Sequence, residues 1–285
     1  MSRTDRILNS VSKLPPVPFI LTKLMDLMKD PLIESSRLVK IIAMDDGITA
    51  NILKVSNSPF YGGRSPISNV SDAVTRLGNA NIFRIALAAS SSRFLGGRQD
   101  GYNMRPGFLW KHGLGTGLAA QILAPRMELL DPATAFTSGL LHDMGKLVLS
   151  EFMTENYREI RKAVLEEDVT FSEAEHSIIG IDHAELGGLL AERWDFPESL
   201  TSVIRWHHHP EGAGEHAKIV AVISLSSALC HYAGGPVGME VLASHMDRKI
   251  LRSLSFTMTD VEKNLIALQD QLEQSSDLLG VSLIE

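Results

Sequence analysis

PATAFTSGLLHDMGKLVL, residues 132–149, is the stretch that decides the fold. Its apolar residues spread round nearly the whole circumference of a helix, so that helix belongs in an interior, and Asp131-Pro132 supplies its cap and first turn. Into it the sequence sets His142, Asp143 and Lys146. Ionisable groups taken into an apolar interior need partners or a metal. The plain alternative pairs Asp143 with Lys146 at i, i+3 and leaves His142 hydrogen-bonded in the core.

Working outward, His112 lies on the preceding helix, His183 opens a later one, and His207-His208-His209 ends the next. Four helices thus each bring an imidazole. Imidazole nitrogen and carboxylate oxygen are the donors for Fe, Zn, Mn or Ni, and a helical bundle can gather such donors in one pocket. Successive helical residues point about 100° apart, so three consecutive histidines cannot share a site. His207 and His208 are the candidates, and His209, just before Pro210, reads as solvated. His176, His216, His231 and His245 lack such company and read as surface or capping residues.

Helical periodicity runs the length of the chain and alternating Val/Ile/Thr strands are missing, which predicts an all-α protein, a two-part helical bundle. An N-terminal helical subdomain covers 1–98, with helices opened by Pro16 and Pro18 through Met28, then Glu34–Ala43, Ile48–Val55, one capped by Ser71 and ended at Gly78, and Ala80–Phe94. Asn57-Ser58-Pro59 reads as an Asx turn, and Gly62-Gly63 as a break. After Gly96-Gly97, a second domain covers 99–235, with helices Arg105–Arg126, Pro132–Leu149, Glu151–Glu166, His183–Trp194, Pro197–His208 and Ala217–Tyr232. Trp110, Trp194 and Trp206 read as core. A C-terminal extension, 236–285, carries the helix Thr259–Leu279, with a Thr259/Glu262 capping box and a stripe of Val261, Leu265, Leu268 and Leu272 that packs on its own domain or serves a homodimer.

The 285 residues carry 27 Lys and Arg against 34 Asp and Glu, a net charge of −7. The basic residues are scattered, whereas phosphate neutralisation needs them clustered, so neither nucleic acid nor a membrane surface is the expected partner. Cys230 is the single cysteine; it can form no intrachain disulfide and no thiolate metal site, which suits a reducing compartment. With no secretory signal and no apolar run of about 18 residues, the expected location is the cytoplasm.

The motifs resemble those of the HDOD family, the HD-related output domains of bacterial signalling proteins, within the HD superfamily of metal-dependent phosphohydrolases. The N-terminal likeness rests on Leu14-Pro15-Pro16-Val17-Pro18, Asp45-Asp46, Asn57-Ser58-Pro59-Phe60-Tyr61-Gly62 and Ala73-Val74-Thr75-Arg76-Leu77-Gly78. It continues through Leu109-Trp110-Lys111-His112, Gly139-Leu140-Leu141-His142-Asp143-Met144-Gly145-Lys146 and Gly180-Ile181-Asp182-His183-Ala184-Glu185-Leu186-Gly187. It closes with Trp194-Asp195-Phe196-Pro197 and Ile204-Arg205-Trp206-His207-His208-His209-Pro210.

The resemblance implies that His112, His142 and Asp143 are the core HD metal ligands and that His183, His207 and His208 match the added ligands of multinuclear HD-GYP relatives. Lys146 matches the lysine placed near a substrate phosphate. Three departures stand beside this. Ser227 falls where catalytic HD proteins carry a further aspartate, Phe108 falls where HD-GYP enzymes carry a glutamate, and Pro210-Glu211-Gly212-Ala213-Gly214 replaces the Gly-Tyr-Pro loop of cyclic di-GMP phosphodiesterases.

Two functions follow, beside a plain helical scaffold whose histidines are satisfied in the core. One is a signal-transduction output module on a degenerate phosphohydrolase framework, acting by binding a signalling protein or a small phosphorylated ligand, with or without a divalent metal. The other is a metal-dependent phosphohydrolase of a phosphoester or nucleotide, with Asp143 and Lys146 as its catalytic residues. The resemblance favours the first.

Overall fold

The computed structural model describes residues 7, 17–28, 34–58, 61, 65–127, 130–167, 169–234 and 248–279. The readings placed on Leu14, Pro15 and Pro16, on Gly62-Gly63 and on His245 lie outside them. The described residues form helices joined by turns and short loops, with no strand and a lone bridge between Gln99 and Met104, as the absence of strand patterning requires.

The N-terminal helices are α1 (Phe19–Met28), α2 (Ser35–Ile42), α3 (Asp46–Ser56), α4 (Val70–Leu77) and α5 (Asn79–Leu95). Asp45 caps α3 by accepting from the Ile48 amide at 2.9 Å. The cap of α4 is Asn69, which accepts from the Asp72 amide at 2.9 Å; Ser71, the expected cap, lies inside the helix. Gly78 ends α4 with φ +80°, a conformation that suits glycine. The Asx turn expected over Asn57-Ser58-Pro59 runs into Pro59, which lies outside the described residues; Asn57 itself donates to the Leu53 carbonyl at 2.9 Å. It reaches ten residues on, donating to the Ile67 carbonyl at 2.8 Å and accepting its amide at 2.7 Å, which clasps the segment between α3 and α4.

The second group comprises α6 (Phe108–Leu123), α7 (Pro132–Leu141), α8 (Lys146–Met153), α9 (Tyr157–Glu166), α10 (Phe171–Ile179), α11 (His183–Arg193), α12 (Glu198–Trp206) and α13 (Ala217–Tyr232). Then come α14 (Arg248–Ser253) and α15 (Met258–Leu279). Helices α10 and α14 escaped the sequence reading. The first carried a legible signal: Thr170 and Glu173 form a reciprocal capping box. The box that starts α15 is formed by Thr257 and Asp260 rather than Thr259 and Glu262.

The expected helix Pro132–Leu149 is broken. Asp131 caps it as predicted, accepting from the Thr134 amide at 2.8 Å. From His142 to Gly145 the chain then tightens into bonds three residues apart, Met144 to Leu141 at 3.0 Å and Lys146 to Asp143 at 3.0 Å. Such a 3₁₀-like step bends a helix axis. It starts α8 in a new direction, and the absence of a side chain on Gly145 lets this corner press against the backbone of His183 and Gly187 at the start of α11.

One connected apolar core runs through both groups of helices and into α15. Helices α6 and α7 pack most extensively. They approach through Gly113, Gly117 and Gly139, where any side chain would meet the facing backbone. Val261, Leu268 and Leu272 of α15 are buried within the chain, so that stripe packs on its own protein, chiefly against α6 and α13. Trp110 is core as expected. Trp194 is half-buried, its ring edge-on to Phe94. Trp206 departs from expectation: it is exposed at the end of α12, with the Gly212 backbone lying along its ring.

Candidate metal centre

Five imidazoles and one carboxylate from four parts of the bundle come together. His112 comes from α6, His142 and Asp143 from the corner after α7, His183 from the first turn of α11, and His207 and His208 from the end of α12. Asp143 Oδ2 lies 3.7 Å from His112 Nε2 and 3.4 Å from His142 Nε2. Its other oxygen, Oδ1, lies 3.4 Å from His183 Nε2 and 3.5 Å from His207 Nε2. His208 Nε2 closes the second group, 2.9 Å from His183 Nε2. Asp143 therefore joins two half-sites, His112–His142 on Oδ2 and His183–His207–His208 on Oδ1.

The local folding explains why these rings face inward. His142 and His207 each sit at the C-cap of a helix, where the last carbonyls lack intrahelical donors. Each ring turns back to satisfy one: His142 Nδ1 donates to the Gly139 carbonyl at 2.7 Å and His207 Nδ1 to the Ile204 carbonyl at 2.9 Å. A carbonyl can only accept, so the proton is on Nδ1 and the Nε2 lone pair points into the site. His183 is held likewise by Glu175, whose Oε2 accepts from its Nδ1 at 2.6 Å and from its backbone amide at 3.0 Å.

Glu175 is wholly buried on α10 and was not legible as a site residue, since its helix was missed. Its second oxygen accepts from the Tyr102 hydroxyl at 2.6 Å. A carboxylate behind an imidazole whose Nε2 faces the site is the arrangement that orients a metal-binding histidine and raises its basicity. His231, expected at the surface, instead stacks on the His112 ring with centroids 4.5 Å apart. It lies one turn beyond Ser227, whose hydroxyl is 3.3 Å from His112 Nε2. His209 is exposed, as expected.

The electrostatics follow from burial. His142 is pushed down to about 3, by burial against the pull of Asp143. His112 is also driven well below the ordinary histidine range, first by burial and then by the neighbouring His231. Burial likewise opposes charge on His183, but the Glu175 carboxylate overrides it and pushes that histidine up to about 10. Burial would raise Asp143, yet His142 and Lys146 hold it well below the usual carboxylate range. The site thus favours positive charge at His183 Nε2, beside His208, and negative charge on Asp143.

The donors fit a cation. Asp143 Oδ1 and His207 Nε2 are buried and have no hydrogen-bond partner among the described residues. In addition, donors bound about 2.1 Å from one tetrahedral ion stand roughly 3.4 Å apart, close to the spacings seen here. Lys146 breaks the symmetry. Its ammonium is buried and bonded to Asp143 Oδ2 at 2.6 Å, on the His112–His142 side. The two positions where the resemblance to catalytic relatives implies acidic residues also fall near this half: Ser227 is beside His112, and Phe108 opens the helix that carries it.

The HDOD domain family matches residues 14–210 of this chain. A crystal structure of an HDOD domain protein from Geobacter sulfurreducens is 26% identical, with a TM-score of 0.73 and 96% of each chain covered. A candidate signal transduction protein from Marinobacter aquaeolei VT8 is 23% identical with a TM-score of 0.76, covering 98% of this chain and 62% of that one. A candidate phosphohydrolase from Shewanella amazonensis SB2B is 22% identical with a TM-score of 0.70, covering 96% and 97%. Among curated proteins, one of Treponema pallidum (strain Nichols), itself uncharacterised, is 23% identical over 271 residues. This chain spans about half its length, 51%, and aligns over 94% of itself. Among the described residues no helix is long and apolar enough to cross a membrane.

Proposed function

We propose, since this chain belongs to the HDOD family, that it is a signal-transduction output module whose histidine cluster holds a single divalent ion of Fe, Zn, Mn or Ni. The ligands are His183, His207, His208 and Asp143 Oδ1, and the helices α1–α5 present the surface for a signalling partner. Bound there, the ion ties the start of α11 and the end of α12 to the corner after α7.

The observation that carries this reading is the position of Lys146. In a phosphohydrolase that ammonium would reach a substrate phosphate and steady developing charge. Here it is spent on Asp143 inside the core. A cation on the His112–His142 side would face the lysine's charge at close range with no second carboxylate among the described residues to offset it, whereas the His183 side keeps Asp143 Oδ1 and has Glu175 behind it.

A metal-dependent phosphohydrolase is the second reading, favoured by the convergence of all six donors. A bound ion would then polarise a phosphoryl oxygen and lower the pKa of a coordinated water. The two are separated by metal content and turnover. Protein expressed with the four metals is expected to carry one equivalent, lost in His208→Ala and kept in His112→Ala, and to hydrolyse no phosphomonoester, phosphodiester or nucleotide with Mn or Fe supplied. Steady hydrolysis abolished by Asp143→Ala would establish the enzyme instead.

Glu175 gives a second expectation. Glu175→Gln removes the negative charge behind His183 and keeps the shape, so cation affinity should fall by about 10–100-fold in a chelator competition. Unchanged affinity would show that Glu175 only packs.

A further inference from the structure

A second site lies away from the histidines, where α3, α5, α6, α7 and α15 meet. It is a cavity of about 170 Å³ with an apolar wall that includes Leu114, Leu118 and Phe136, and a polar side that includes Arg84, Gln121 and Gln274. Arg84 is partly buried on α5. Its guanidinium is oriented by neutral groups: one terminal nitrogen donates to Gln121 Oε1, the other to Asn81 Oδ1, and its face lies 6.0 Å from the Phe136 ring centroid.

Among the described residues no carboxylate pairs with it, although the chain's net charge is negative and other arginines, such as Arg93, Arg126 and Arg205, have acidic partners. A guanidinium has five N–H donors in a planar fork that matches a carboxylate, and two are used by the amides. A half-desolvated, pre-oriented cation with spare donors, set in a small cavity with an apolar wall, is how specific anion sites are built.

We propose that this cavity binds a small organic monoanion, a carboxylate on an apolar body of about one ring, with Arg84 pairing the carboxylate and the Phe136 side receiving the body. Size sets the class: a cavity of roughly 150 Å³ takes benzene, whereas drug-sized and nucleotide-sized ligands need about 300 Å³ or more. The occupant would touch the N-terminal helices, the histidine-bearing helices and α15 at once, so it would tie together the three parts of the chain. The proposal is independent of any ion at His183.

The test is titration of the whole chain with benzoate, followed by calorimetry and by thermal shift, since a ligand of the folded state raises its melting temperature with concentration. Saturable benzoate binding is expected below about 10 mM. Neutral benzyl alcohol and inorganic phosphate should each bind at least about tenfold more weakly. Arg84→Met should lose benzoate by at least about tenfold while keeping its helical circular dichroism and metal content. Gln274→Trp, on an exposed position of α15 that lines the cavity, should obstruct it while keeping Arg84 in the chain, and it decides the matter should Arg84→Met not fold. No saturable benzoate binding, phosphate binding as tight as benzoate, or full benzoate affinity in Gln274→Trp or in a folded Arg84→Met would each overturn the proposal.

Discussion

Asp143→Ala is expected to cost about 3–5 kcal/mol of stability and to abolish cation binding, the largest loss of any single substitution around the site. Asp143 is the carboxylate shared by four imidazoles and the partner of a buried lysine, 2.6 Å away. Removing it takes away the carboxylate that faces the buried Lys146 ammonium, which is 1% exposed. The penalty is mainly that of the buried charge, and this can be tested separately. Lys146→Met in the same chain removes the buried ammonium, so the double variant should recover much of the stability in a urea titration while remaining unable to bind a cation. If Asp143→Ala were as stable as the parent, the Asp143–Lys146 pair would not matter to the fold.

Gly145→Ala should be nearly as damaging, although it adds one methyl group. A Cβ at that position would stand 1.9 Å from the His183 carbonyl oxygen and 2.7 Å from the Gly187 amide nitrogen. Those atoms are backbone at the start of α11 and cannot swing aside, so α8 and α11 must move apart. The cost should reach about 3 kcal/mol, the upper end for overpacking, or a drop of roughly 10 °C in melting temperature. His183 should shift with α11, so cation affinity falls as well. Gly97→Ala meets nothing closer than 3.9 Å and is the control, expected within about 0.5 kcal/mol of the parent.

Much of this was legible in the residues. The apolar circumference of 132–149 placed a helix in the interior, and the five imidazoles on separate helices, with Asp143 beside one of them, named the six donors that come together. The corner at His142–Gly145 was not legible, because its backbone stays near helical dihedrals and nothing in the periodicity marks it. The bend goes with the close approach of Gly145 to α11, a contact between segments about forty residues apart that no local pattern encodes. Glu175 was hidden for a related reason: it looked like one more acidic residue until the fold buried it behind His183. His231 was misread because a lone histidine near a helix end usually faces water, and here the packing of α13 on α6 stacks it on His112. The caps at Asn69 and Thr257 show the smaller error, helix starts displaced by two residues where Ser or Thr stands near a better cap.

The asymmetry between the two half-sites is the centre of this account, and a crystal structure of metal-loaded protein with anomalous data collected at the Fe, Zn, Mn and Ni edges measures it directly. The expected result is one anomalous peak among His183, His207, His208 and Asp143 Oδ1, with Lys146 still on Oδ2. A peak on the His112–His142 side, peaks on both sides, or no peak in metal-loaded crystals would contradict it.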